Sequence, residues 1–337
     1  MVVPSHIHVS AQLEAQLSPI LKRHALLTRK EPVSAEKEDV PKYLHALHAQ
    51  ASGLLFTQMA YLKTSCIEGE AYLKLRHIPY RKHISYQSLR NSRMAAKESE
   101  NGCALCKDPE PLIFFNFKNL RIASNKFRYG ENSLLIMSKE HKHQSIAAKL
   151  LLEVFRFMAA AGEDYTFFCN GLSGNSEHHA HFQALKERLP IRRAIENKDI
   201  LFKEAFYKKG VFSAVLDKTK EDSASGKRVS HFYGAYFAGP LLEVEKSVGR
   251  FLEKLEGANK SRAGLFNLIF WQECGSTHVV VVPKKKVFAD DKAKRYGALA
   301  HSGLCHEAWN DSITTYEGLK KDLLESVSKE AFSKPLF

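Results

Sequence analysis

The chain has 337 residues, of which 44% are hydrophobic and 26% charged, enough for one large domain or two ordinary ones with a real core. Six cysteines (Cys66, Cys103, Cys106, Cys169, Cys274 and Cys305) are too few for a disulfide scaffold in a chain this long, so a reducing, cytoplasmic setting is the simplest reading. The formal net charge of +13 tilts the chain towards polyanions, although it is spread along the sequence and densest at Lys284-Lys285-Lys286 and between Arg76 and Lys97.

The opening MVVPSHIHVS lacks the basic-then-apolar pattern of a signal peptide. No apolar run reaches the roughly 18 residues of a membrane helix, so no membrane partner is expected. A helix is predicted over Ala11 to Leu27, followed by a charged stretch, residues 35–41. From Lys42 to Leu75 apolar residues recur at helical spacing (Leu44, Leu47, Leu54, Leu55, Met59, Leu62), which predicts a helical N-terminal region over 1–95. From Pro111 the texture changes to short apolar runs at Leu112 to Phe115, Leu120 to Ala123 and Ser133 to Met137, which read as strands of one sheet. Ser145 to Ala161 carries one apolar stripe and is the clearest helix. Tyr165 to Cys169 reads as a strand, residues 170–176 as a turn-rich loop, and residues 178–183 as another strand. Beyond Pro190, strands are expected at Val211 to Leu216, His231 to Ala238, Leu265 to Trp271 and His278 to Val282. The last two flank a hairpin at Gln272 to Ser276. Helices are expected over Leu241 to Leu255 and Thr315 to Phe332. Antiparallel strands with separate helices indicate an α+β fold. No Gly-rich phosphate loop or dinucleotide fingerprint is present.

The chemistry concentrates at Glu177-His178-His179-Ala180-His181-Phe182-Gln183. On a strand, His179, His181 and Gln183 share one face at a spacing of roughly 7 Å. Two imidazoles and a carboxamide in a row are costly to bury without a task. The preceding loop offers backbone N–H groups with the Ser173 and Ser176 hydroxyls, a setting suited to a phosphate. An imidazole beside such a cradle is equipped to attack phosphorus and carry a nucleotidyl group, with Gln183 donating to the phosphoryl oxygens. The plain alternative is a set of ordinary polar residues on an exposed strand. Cys103-Ala104-Leu105-Cys106 has the spacing of a zinc knuckle, with His141 or His143 and His179 as candidate further ligands; a redox pair or incidental cysteines are the alternatives. A non-catalytic nucleotide or nucleic-acid binder would interleave aromatic and basic residues on strands, and only Phe114-Phe115-Asn116-Phe117-Lys118 fits that pattern.

The run Asn170-Gly171, Gly174-Asn175-Ser176, then His179-Ala180-His181-Phe182-Gln183 resembles the active-site motif of the galactose-1-phosphate uridylyltransferase branch of the histidine-triad superfamily. Phe182-Gln183-Ala184 and Leu189-Pro190-Ile191 look closest to its phosphorylase members, which act on diadenosine tetraphosphate or GDP-hexoses. Supporting similarity runs through Tyr86-Gln87, Arg93, the CxxC pair, Asn125, Leu134 to Ser138, Glu140-His141, Gln144, Asn267 to Trp271 and Val279 to Lys286, covering residues 80–310. Position 178 departs from the uridylyltransferases, which have Pro there, and no second metal site is visible in residues 190–337.

The resemblance implies two histidine-triad-like halves with antiparallel sheets, over 96–190 and 191–337. It implies a nucleotidyltransferase with His181 as nucleophile. Gln183 would bind the phosphoryl oxygens in place of a third histidine of the hydrolase branch, which favours transfer to phosphate or a sugar phosphate over transfer to water. Nucleotide and phosphate contacts would come from Arg93, Asn125, Asn170, Gly174 and Ser176. Zinc would sit in a structural role on Cys103, Cys106, His141 and His179. The donor would be a nucleoside diphosphate sugar or a dinucleoside polyphosphate, with no nucleic-acid partner, in a monomer or homodimer.

Overall fold

The computed structural model describes residues 34–48, 63–66, 72, 74–77, 103–107, 114–125, 130, 132–142, 144, 149–171, 179–219, 232–257, 265–284, 298–302, 304–306 and 327. The expected helix over Ala11 to Leu27, the basic stretch 76–97 beyond His77, and most of Thr315 to Phe332 lie outside these residues. In chain order the strands are β1 (Lys63–Cys66), β2 (Lys74–His77), β3 (Phe114–Phe117), β4 (Leu120–Ser124), β5 (Leu134–Ser138), β6 (Thr166–Asn170), β7 (His181–Leu185), β8 (Ile200–Lys208), β9 (Val211–Thr219), β10 (Tyr233–Gly239), β11 (Phe266–Glu273), β12 (Ser276–Pro283) and β13 (Leu304–His306). The helices are α1 (40–48), α2 (Ala104–Lys107), α3 (Leu151–Ala161), α4 (Pro190–Glu196), α5 (Leu241–Gly257) and α6 (Ala298–His301).

One sheet of ten strands, in the order β3-β4-β5-β7-β6-β11-β12-β10-β9-β8, forms the body of the molecule. Its ordering contains a repeat that the residues do not show. From its outer edge the first half runs β3-β4-β5-β7-β6, and from the other edge the second half runs β8-β9-β10-β12-β11. Each half has its long helix between its third and fourth strands, α3 in one and α5 in the other. The halves join through β6 and β11, which pair antiparallel from Asn267↔Asn170 to Trp271↔Thr166. The α+β class and the two antiparallel halves expected from the sequence are what the structure has.

Helix α3 buries Leu151, Val154, Phe155 and Met158, and α5 buries Val244, Val248, Phe251 and Leu252; both sets follow the three-to-four spacing of one helical stripe. These stripes cover a single sheet face, where Phe115, Phe117, Phe167, Phe182, Phe270 and Val281 complete one core. Two-residue turns fix the register of two hairpins. Lys209 (φ 51°) and Gly210 (φ 79°) join β8 to β9, and Cys274 (φ 47°) and Gly275 (φ 76°) join β11 to β12. Two successive positive φ angles match the right-handed twist of the flanking strands.

The opposite face carries a second core built on Phe168, Leu185, Ile269, Trp271, Val280 and Val282. A small sheet, β1-β2-β13, accompanies this layer. Residues 63–66 and 74–77, within the N-terminal region expected as helical, are therefore strands; among the described residues of that region the α-helix covers 40–48. The leucine spacing does not reveal this, because β1 and β2 owe their conformation to pairing with each other and with β13. Val327, within the expected C-terminal helix, instead forms an isolated antiparallel bridge with Lys284. Strand β8, absent from the sequence expectation, is a sheet edge whose apolar residues come in two runs, Ile200 to Phe202 and Ala205 to Tyr207, and do not alternate with its polar ones. Phe115 and Phe117 are 0% and 2% exposed, so β3 is core and does not display those rings to a nucleic acid. Among the described residues no helix is long and apolar enough to cross a membrane.

Candidate active site

The site lies on the sheet face away from α3 and α5. Gln183 pairs with Phe168, Phe168 with Ile269 and Ile269 with Val280, so these side chains share one face, and alternation along β7 puts His181 there too. On the other side of β7, His181 pairs with Met137 and Gln183 with Leu135. Ala123, Leu135 and Met137 form a small apolar patch on which Leu105 of α2 packs. This contact carries Cys103 and Cys106 to the same face as the histidines.

His181 is 5% exposed. Its Nδ1 stands 2.8 Å from the carbonyl oxygen of His179. A carbonyl only accepts, so Nδ1 carries the proton and Nε2 keeps its lone pair. Burial lowers the pKa of the ring to about 4, partly offset by that carbonyl. The ring is therefore neutral near pH 7, with Nε2 as its basic atom. Gln183 is half-buried, and its Oε1 accepts from Asn125 Nδ2 at 3.4 Å. That bond orients the carboxamide so that its NH2 group is left to donate elsewhere.

His179 has the opposite tautomer. Its Nε2 lies 2.8 Å from the Ser138 carbonyl, so it donates there, and the Ser138 Oγ is 2.9 Å from the same nitrogen. Its Nδ1 lone pair faces Cys103 Sγ at 3.5 Å and Cys106 Sγ at 3.2 Å, and His141 Nδ1 is 3.2 Å from Cys106 Sγ. The four ligand atoms of Cys103, Cys106, His141 and His179 lie within 4.8 Å of one another. Tetrahedral zinc with bonds of about 2.0–2.3 Å needs sulfur–nitrogen separations near 3.5 Å, so the spacing and the Cys2His2 donor set fit that ion. The carbonyl behind His179 is the outer partner such a ligand uses. Among the described residues the cluster takes His141; His143 lies outside them.

Two histidines one residue apart thus hold opposite tautomers, each set by one backbone carbonyl. The sequence places them on one strand face; the structure turns His179 into the Cys/His cluster through a lone bridge before β7, leaving His181 and Gln183 on the open strand.

Asn170 also sits at the site, but its Oδ1 accepts from the Ala298 N–H at 2.7 Å, tying α6 across this face. Asn267 Nδ2 donates to His301 Nδ1 at 3.0 Å beside it. Arg93, Gly174 and Ser176 lie outside the described residues. Sequence reasoning missed the tie to α6 and the part played by Gln144, which is 1% exposed and bonded to the His181 backbone. Neither tie has a local signal, since Gln144 lies 37 residues from His181 and Asn170 lies 128 from Ala298.

No family model matches the chain, and comparison with curated proteins finds no match. Among solved structures, the yeast Ap4A phosphorylase Apa2 in complex with Ap4A aligns over 86% of this chain and 97% of its own, at 14% identity and a TM-score of 0.51. The chain has the fold of that phosphorylase. A DUF4931 family protein from Bacillus cereus aligns over 64% of this chain and 97% of its own, at 14% identity and a TM-score of 0.38. A uridylyltransferase aligns over 64% and 86%, at 12% identity and a TM-score of 0.34. At 14% identity the likeness to the phosphorylase is one of fold, and at that level it agrees with the resemblance carried by the His179–Gln183 motif.

Proposed function

We propose that this chain is a nucleotidyltransferase of the phosphorylase type that works through a covalent nucleotidyl-His181. The observation that carries the reading is the neutral His181 ring, held with Nδ1 protonated against the His179 carbonyl and Nε2 bearing its lone pair. In the first step Nε2 attacks the α-phosphorus of a nucleoside diphosphate sugar or dinucleoside polyphosphate. The bond from that phosphorus to its bridging oxygen breaks, and a sugar phosphate or nucleoside polyphosphate leaves with the electron pair. The positive charge that develops on the ring is shared through Nδ1–H with the His179 carbonyl. The Gln183 NH2, oriented by Asn125, donates to the phosphoryl oxygens as they gain charge. In the second step phosphate or a sugar phosphate displaces His181.

Asn170, Arg93, Gly174 and Ser176 would serve the nucleotide and its phosphates. Cys103, Cys106, His141 and His179 would hold zinc. Four protein ligands close the tetrahedron, so the ion would be structural. It would hold the His179 main chain, whose carbonyl orients the nucleophile.

The test is to incubate the protein with labelled diadenosine tetraphosphate and a panel of nucleotide sugars, with and without phosphate, and to assay the adduct and products by mass. A labelled adduct that disappears in His181→Ala supports the reading; an adduct that persists in that variant overturns it. Products that incorporate water in the presence of phosphate would make the enzyme a hydrolase instead. Gln183→His should move the product ratio towards hydrolysis.

A further inference from the structure

We propose that Gln144 is a positioning residue for His181: its carboxamide replaces the missing rung of the sheet at the point where the nucleophile sits. The inference rests on the reading of His181 as nucleophile.

The pairing of β6 with β7 runs Thr166↔Leu185, Phe167↔Ala184 and Phe168↔Gln183, and stops there. Two further residues of each strand, Cys169 and Asn170 on β6 and Phe182 and His181 on β7, continue without that pairing. Both strands stay in the sheet by their outer edges, β6 through Asn267↔Asn170 and β7 through Met137↔His181. Between them lies the Gln144 side chain. Its Oε1 accepts from the His181 N–H at 2.7 Å, and its Nε2 donates to the His181 carbonyl at 3.1 Å and the Asn170 carbonyl at 2.9 Å. In an antiparallel strand the N–H and C=O of one residue point to the same neighbour. A single amide therefore meets both backbone groups of His181, as the peptide groups of a partner strand would. It is 1% exposed, so water does not substitute for it, and a buried backbone group without a partner is costly.

The consequence is specific to His181. The catalytic ring depends on the Nδ1···O distance to His179, two residues back, and that distance depends on where the His181 backbone lies. Held by β5 on one side and Gln144 on the other, the backbone has no freedom to slide. Without the carboxamide, β6 and β7 either close on each other or part, and either movement shifts Nε2 from its line of attack.

The experiment uses the full chain with its metal. Gln144→Ala removes the wedge; Gln144→Glu keeps its bulk and the acceptor for the His181 N–H but faces two carbonyls with a carboxylate. With diadenosine tetraphosphate as probe, the single-turnover rate of adduct formation is expected to fall roughly 10–100-fold while KM changes by less than about twofold, the scale of a nucleophile misplaced by an ångström. Metal content should remain at the wild-type level. In protein labelled with 15N-histidine, the His181 ring should change from one Nδ1–H tautomer to a mixture, which a purely structural loss would not produce. Wild-type adduct rate with a single tautomer in either folded variant would overturn the proposal, as would a rate loss accompanied by an unchanged tautomer. If Gln144→Ala does not fold, Gln144→Glu carries the same readouts. The nucleophile assignment fails separately, by an adduct surviving in His181→Ala, and the tautomer measurement still decides the role of Gln144 in that case.

Discussion

The two halves of the sheet have the same strand order, yet among the described residues only the first joins a histidine and a carboxamide on one strand to a Cys/His cluster. Each half places a histidine near the start of its last strand in chain order, His181 on β7 and His278 on β12, and both rings lie on the face away from the long helices. Their surroundings differ. His181 is set among backbone groups, with the His179 carbonyl on its Nδ1 and the Gln144 carboxamide on its main chain. His278 is set among rings: it stacks on Trp271 at 5.2 Å and 11°, and its Nδ1 meets the Tyr236 hydroxyl at 2.7 Å. Where β7 follows its histidine with Gln183 on the same face, β12 has Val280 and Val282, both buried in the second core. Among the described residues only the first half has a Cys/His cluster. Topology therefore supplies the same strand position twice, and the side chains with their carbonyl partners distinguish the one proposed to react.

The largest expected effect tests that asymmetry directly. His181→Ala should lower turnover by three orders of magnitude or more, roughly the scale seen when a nucleophile is removed. His278→Asn should leave the adduct and its turnover in place. Equal losses in both variants, measured by adduct labelling and steady-state rates, would break the comparison.

The cluster gives the next effect. Cys106→Ser should reduce bound metal well below one equivalent, by plasma emission analysis, and lower thermal stability together with adduct formation. Full activity in metal-free protein would separate the cluster from the site.

A third variant probes the second half's own buried charge. Arg192 is 0% exposed; its Nε contacts Glu196 Oε1 at 2.5 Å, its Nη1 donates to the Glu163 carbonyl at 2.7 Å, and its guanidinium lies 5.9 Å from the Trp271 ring centre. Arg192→Met leaves Glu196 without that partner and should cost about 3–5 kcal/mol in urea denaturation, with the adduct still formed by the folded fraction. A neutral effect would show that the arginine is dispensable to this half.

The smallest effect is a pH dependence. Burial, with Arg192 adding to it, lowers the His278 pKa from 6.5 to about 4. The folded pKa is below the unfolded one, so the unfolded chain takes up the proton first. The contribution is complete above about pH 6.5 and is lost as pH falls towards 4, to as much as roughly 3 kcal/mol. His278→Asn should remove that part of the acid slope in urea midpoints compared between pH 7 and pH 4.5; an unchanged slope would place the acid sensitivity elsewhere.

Much of the first half was legible in residues. The apolar runs that become β4, β5 and β6 and the stripe of α3 are local patterns of period 2 and 3.6, and the motif from His179 to Gln183 marks β7 as the strand proposed to carry the nucleophile. The CxxC pair has the spacing of a metal site, and the fold adds what spacing does not, the approach of His141 and His179 to the thiols. β8 hides for another reason: its apolar residues come in two runs around Lys203-Glu204, where the ladder to β9 shifts register, so no period of 2 is visible. β1 and β2 lie where leucine spacing predicts helix; their strand character comes from pairing with each other and, for β2, with β13.

What the sequence alone determined, then, was the α+β class, the helical stripes, the hairpin over Gln272 to Ser276 and which strand is proposed to react, all set by patterns within a few residues. Only the tertiary structure decided the twofold repeat of the strand order, the opposite tautomers of His179 and His181, and the place of Gln144 between β6 and β7. The strand order, the His179 tautomer and the place of Gln144 depend on a carbonyl or a strand edge tens of residues away, and the His181 tautomer on how the chain bends between His179 and β7; none of these leaves a mark on the local order of side chains.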